Sequence, residues 1–427
     1  MKKVLCAVCA IVMMLGVAGC GKGGDTAKSG KVTLLIGAPE GENLTPMELI
    51  ENFKALHPDI NVETDITPWN DFAQKLKMQM TTNDPVPVFL TDSGTAAEFA
   101  GKGAVVDLND RIKELDSSLY TDALYAGKDA DGKIWGVPQA INPIAIIYNK
   151  AIFDQCGVDY PDENWTWDDM MDIARKLTIV ENGETTVYGF YSGNYITTGW
   201  LPYIVANGAA PLDSTMTKSN FSDPKVVDAF KKYGAPFHEG ISPPGGFIDS
   251  NGGVQLSFAN GKIAMMIELA GNLSIIEKNA PEGFDYDAQI MPIGWDGNRY
   301  CVYVPNVWQI SSKASKEAQD AAWEWIKYYL SPEAQMIVAQ KGKGGFPIEK
   351  SALAYFDTAK SKPANKKAFY EGIDKYGVTL FENPCWLSWE QEVERRFSFV
   401  TLKETDIEAK VAEIDKAVQE ALDEYYK

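Results

Sequence analysis

The sequence predicts an α/β chain folded as two lobes, on three observations. Short β-branched runs alternate with stretches of helical period, the pattern of parallel strands with helices on their faces. The alternation starts afresh mid-chain, at Gly136-Val137-Pro138. At 427 residues, the chain is also too long for one ordinary core.

Val32–Ile36, ending at Gly37, reads as a buried strand. Thr45-Pro46 starts a helix with Met47, Ile50, Phe53 and Leu56 on one face, and His57-Pro58-Asp59 stops it. A strand over Ile60–Ile66, a helix from about Asp71 to Met80, a strand over Val86–Leu90 and a short helix at Ala96–Ala100 follow. After the restart, Ile144–Tyr148 is a strong buried strand. Thr166 and Asp169 have capping-box spacing ahead of Met170, Ile173, Ala174 and Leu177. Ile263–Ile267 is a strand, Met291–Gly294 a segment crossing between lobes, and Ser315–Leu330 a helix. Ser331-Pro332 opens the next helix with an N-cap and a proline in its first turn. Ile407, Val411, Ile414, Val418 and Leu422 form the stripe of an amphipathic C-terminal helix.

The first thirty residues have a different character. Lys2 and Lys3 precede an apolar run, Val4–Leu15, that fits a secretory leader and is short for a membrane span. Val17-Ala18-Gly19-Cys20 resembles the bacterial lipobox, in which cleavage leaves a lipidated cysteine, Cys20, as the new N-terminus. Residues 1–19 are thus expected to be a signal peptide, and residues 20–30, rich in Gly, Ser and Lys, a lipidated cysteine with a flexible tether. A diacylglycerol thioether plus an N-terminal acyl chain such as palmitate would anchor the chain outside the cytoplasm, on the cell membrane. Losing Lys2 and Lys3 moves the net charge from −19 by two to −21. That acidity argues against nucleic acid as a partner. Cys156, Cys301 and Cys385 lack metal-ligand spacing and read as buried hydrophobes, with one disulfide open.

Five phrases together resemble the bacterial extracellular solute-binding proteins typified by maltose-binding protein. They are Asn52–Val62, Asp131–Pro138 with Ile147-Tyr148-Asn149-Lys150, Trp165–Asp169, Phe258–Met265 and Ala321–Tyr328. The resemblance implies a two-lobed periplasmic-binding-protein-like fold with interlobe crossing strands. Crossings are expected near Gln139–Asn142, Pro292–Trp295 and Gly344–Pro347. It implies an N-terminal lobe of 31–140 plus 293–345 and a C-terminal lobe of 141–292 plus 346–427. It further implies a monomer that holds a sugar or oligosaccharide and passes it to the permease subunits of an ABC importer, without cofactor or metal.

Ligands of such folds sit beyond the carboxyl ends of the strands. Glu40, in the loop after the first strand, could accept bonds from sugar hydroxyls, or be an exposed loop acid. Trp69 and Asn70 follow the second strand, and a Trp face there suits the C–H face of a pyranose. Asp92, at the end of the third, is either a ligand acceptor or a helix cap. Asn142 and Gln139 lie in the first crossing, Asn142 where the family commonly places a polar ligand contact. Trp200 shares a glycine-bounded loop with Tyr195, and Trp308 is preferred over Trp295 as the platform near the second crossing. Trp386 lies where relatives stack an aromatic on the ligand, whereas Trp135 reads as core. Asn272 stands near a position where many relatives carry Trp, a departure that favours a hydrogen bond over stacking. The alternative, a secreted glycoside hydrolase, needs two facing carboxylates, and 59 acids make their mere presence uninformative. With only His57 and His238, histidine triads and His-rich metal sites are disfavoured.

Overall fold

The computed structural model describes residues 31–39, 46–82, 85–129, 132–341, 345–358, 361–402 and 406–427. The leader, Cys20, the tether and Glu40 lie outside the described residues. Among the described residues there are ten strands: β1 (Val32–Pro39), β2 (Ile60–Thr67), β3 (Val88–Asp92), β4 (Val137–Asn149), β5 (Ile179–Glu181), β6 (Glu184–Tyr191), β7 (Ile263–Leu269), β8 (Tyr286–Gln289), β9 (Cys301–Ile310) and β10 (Gly377–Val378). Their order is β2-β1-β3-β9-β4-β7-β6-β5, with β8 on β4 and β10 on β9. Helices α1 (Met47–Leu56), α2 (Trp69–Gln79) and α3 (Ser93–Gly101) fill the crossovers of the first lobe. No described helix is long and apolar enough to cross a membrane.

Strand β4 joins the lobes. All 13 of its residues are buried. Val137–Pro143 pairs with β9 in the first lobe, and Ile144–Asn149 pairs with β7 and β8 in the second. The apolar cores divide at the same place. Leu34, Ile36, Ile50, Phe53, Leu90, Trp308, Trp325 and Tyr329 form one cluster, beside a smaller one around Phe72, Phe89, Phe99 and Trp135. Ile146, Trp167, Trp200, Phe230, Tyr233, Met265, Trp389 and Val418 belong to another.

Local signals act as the sequence suggests. Thr166 and Asp169 complete a reciprocal capping box on the Trp167–Leu177 helix. The Ser315 side chain caps the Lys316–Tyr329 helix through the Ala318 amide. The Ile407–Tyr426 helix buries Val411, Ile414, Val418 and Leu422. Cys301 and Cys385 are buried, Cys156 is partly so, and all three are free thiols.

The second crossing is displaced from its expected place. Residues 291–299 stay on the second lobe, where Ile293 bridges Thr166 and Arg299 and the Trp295 amide donates to Ala206 O. Gly294 packs so closely that a Cβ would stand 2.4 Å from that carbonyl. The return is made by β9, from Cys301 beside Ile144 to Ile310 opposite Val88. A crossing strand must bond in both sheets, and the turn-forming Pro292-Ile293-Gly294 segment is too short to do so. Beside β4, Ile141 and Phe346 exchange backbone hydrogen bonds of 3.1 and 2.8 Å.

Candidate ligand-binding cleft

The register of β4 fixes where the strand ends meet. β3 runs with β4 and ends at Asp92, opposite Asn306, which in turn pairs with Ala140. β1 and β2 run parallel to β3 and end beside it at Pro39 and Thr67. In the second lobe β7 runs against β4 and ends at Leu269, opposite Ile144, with β6 parallel to it. The carboxyl ends of both sheets therefore face each other across the Ala140–Ile144 stretch. Four residues of strand at about 3.3 Å each separate them by roughly 13 Å. This is the geometry in which open α/β sheets bind ligands.

Asn142 lies in the floor of this gap, opposite Val304 and 9% exposed. Gly345 crosses directly over it, and a Cβ there would come within 2.7 Å of Asn142 Oδ1. Gln139 is turned into the first lobe, where its Nε2 donates to the Tyr329 hydroxyl at 2.9 Å. Asp92 is the N-cap of α3, accepting from the Thr95 amide at 2.8 Å and its hydroxyl at 2.9 Å. Trp69 and Asn70 are the first two residues of α2, immediately beyond the end of β2. On the second lobe Asn272 follows β7 and donates through Nδ2 to Glu268 at 2.8 Å.

Trp386 lies where the lobes touch. It belongs to the second lobe's core, with Trp389 edge-on at 4.9 Å. Its indole lies against Gly94 of α3, so closely that a Cβ on Gly94 would fall 2.1 Å from Nε1. Beside this contact the Ser93 hydroxyl donates to Glu382. A separate cavity of about 200 Å³ opens between the lobes, lined by Ala270, Leu273, Ser274, Gln340, Gly345 and Tyr355 among others.

Trp308 and Trp200, expected at the cleft, are instead buried in the cores of their lobes. Trp308 is fully buried on β9, edge-on to Trp325 at 5.5 Å and to Tyr329 at 5.4 Å. Strand alternation turns it under the Lys316–Tyr329 helix and away from the cleft. Trp200 opens a helix whose seven residues are all buried, and it stacks on Phe230 at 6.4 Å. The aromatic left in solvent beyond β6 is Tyr195, 69% exposed. Trp295 packs on Trp167 at 5.1 Å and donates to Asp168 at 2.9 Å, on the surface of the second lobe.

Three acids were not singled out by sequence: Glu268, Glu382 and Glu390. Burial raises the carboxyls of Glu268 and Glu382 above the usual range. Glu390 is pushed up to about 8, by burial first, then by Glu394 and by Asp92 across the lobe contact. Nothing local distinguishes these acids from others in the chain, since only the fold buries them.

The fold and this gap define a two-lobed binder that encloses its ligand between opposed strand ends. Residues 38–336 match the family described as bacterial extracellular solute-binding protein. The chain belongs to that family. An ABC substrate-binding protein of Listeria monocytogenes, solved in complex with cycloalternan, superposes with a TM-score of 0.81 at 22% identity, covering 92% of this chain and 99% of that one. The sugar-binding protein MalE of Xanthomonas citri gives 0.77 at 19% identity, with 92% and 98% covered. The sn-glycerol-3-phosphate-binding periplasmic protein UgpB of Escherichia coli K12 is 25% identical over 328 residues, 71% of each chain. These are binding proteins, and so is this chain, which is not an enzyme.

Proposed function

We propose that the chain captures a neutral sugar or short oligosaccharide between its lobes and delivers it to the permease of an ABC importer. The observation that carries this reading is the facing of both sets of strand ends across Asn142. Such a gap, with an amide in its floor, suits a ligand bearing hydroxyls that both donate and accept. Asp92, Glu382 and Glu390 lie at the lobe contact, acids that offer a phosphate ester no counter-charge. This favours the sugars of the Listeria and Xanthomonas proteins over the phosphate ester of the Escherichia coli one. Glu40, Trp69, Asn70, Asn142, Asn272 and Trp386 are the proposed contacts, with Tyr195 in place of Trp200.

The lobes are assigned as 31–140 with the return strand β9 through residue 345, and 141–300 with 346–427. Binding to both lobes at once favours the closed form, and closure is the state a permease reads. The chain works as a monomer tethered through lipid on Cys20. A Cys20→Ala variant should leave the membrane fraction, and retention there would refute the anchor. The main test is a thermal-shift screen with maltose, mannobiose, diacetylchitobiose, tagatose and glycerol 3-phosphate. At least one sugar should raise Tm by several degrees through linkage. A response to glycerol 3-phosphate alone would reject the sugar reading.

A further inference from the structure

Glu268 is the penultimate residue of β7, at the cleft edge of the second lobe, and it is 2% exposed. A buried carboxylate is costly unless its oxygens are satisfied. Oε1 accepts from the Leu269 amide and from Asn272 Nδ2, each at 2.8 Å. Oε2 accepts from Gln255 Nε2 at 2.8 Å, from the Val254–Ala259 helix. Its partner across the sheet is Ala145, small enough to leave it room. Among the described residues, no Lys, Arg or His pairs with it, so three neutral donors hold the carboxylate.

These bonds tie one point in the sheet to the Ala270–Asn272 turn that follows it. Ala270 of this turn, with Leu273 and Ser274 just after it, lines the interlobe cavity. A strand or helix core would not require a charge here, because an apolar residue would fill the space at lower cost. What the carboxylate adds is direction. It fixes which way the Asn272 amide faces and holds the turn in one position.

We propose that Glu268 is a positioning residue for ligand binding, orienting Asn272 and the 270–274 wall of the cleft without touching the ligand. This rests on the function proposed above. Calorimetric titration with the panel sugars should compare wild type, E268Q, N272A and the double variant. In E268Q one oxygen becomes a donor facing donors, and affinity should fall about tenfold, as expected for losing hydrogen bonds to a charge. N272A should weaken binding to a similar degree. Because the two side chains act as one unit, the double variant should be no more than about twofold worse than the weaker single. Unchanged affinity in E268Q, or losses that multiply in the double variant, would overturn the proposal. If E268Q does not fold, Q255A loosens the carboxylate while keeping its charge. It should weaken binding about threefold, and an unchanged affinity would again overturn the idea. A wild-type chain that binds no panel sugar removes the function and this role together. A wild type that binds, with E268Q binding equally well, removes this role alone.

Discussion

Single residues in this chain are set by what faces them. Glu390 is 8% exposed, with Glu394 on its own helix and Asp92 of the first lobe turned toward it. Its helix, Trp386–Phe397, also packs on the Ile407–Tyr426 helix through apolar residues such as Val411 and Ile414, and on α3, which carries Glu98 ion-paired to Lys102. With the lobes apart, Glu390 would lose the share of this rise that Asp92 supplies, while burial within its own lobe and Glu394 keep the rest. A pKa raised in part by the contact means that closure favours proton uptake. The contact is therefore favoured while Glu390 is protonated and weakens as pH rises through about 8. Small-angle scattering should show the radius of gyration rising over that window, and E390Q should flatten the curve. A radius independent of pH in the wild type would contradict this.

Trp308 and Trp200 show the limit of reading aromatics by position alone. Each is near a strand end or glycine-bounded loop, yet each buries its ring against partners distant in sequence. Trp308→Ala should cost about 3–5 kcal/mol of stability by leaving a cavity. Denaturant titration measures that loss, while sugar affinity of the folded fraction should stay near wild type. A large affinity loss with stability unchanged would return Trp308 to the cleft. The cap that Asp92 forms on α3 and the place of Asn142 in the first crossing were legible in the local sequence. Glu268, Glu382 and Glu390 were not, since burial and pairing across lobes leave no mark in local sequence.

At the scale of elements, β4 carries most of the design. Its second half was legible as the β-branched run Ile144–Tyr148, whereas the first half was hidden by Pro138, Pro143, Gln139 and Asn142. Proline argues against a central strand. Here the register shift between Pro138 and Ala140 accommodates one, and Pro143 sits where β4 leaves one sheet for the other. α3 meets the Trp386–Phe397 helix across the lobes at Gly94. Gly94 has no unusual backbone angle, so Ala there would ordinarily stabilise a helix. Its Cβ would instead meet the Trp386 indole at 2.1 Å. G94A should hold the lobes apart, raise the radius of gyration and weaken sugar binding several-fold. A variant as compact as wild type and binding as tightly would show that this contact does not limit closure.

At the scale of the molecule, both cores and both sets of strand ends are organised about the two crossing strands. The α/β alternation and the mid-chain restart announced two lobes, because helical and strand periods are local properties. The exact return path depended on which segment could pair with both sheets, and that is a property of the assembled fold. The central claim is capture of one sugar between those lobes. Calorimetric titration of the folded chain with the sugar panel tests it most directly. One sugar should bind per chain, with a micromolar or tighter Kd that N142A weakens by about tenfold or more. A panel with no saturable binding, or binding indifferent to Asn142, would contradict it.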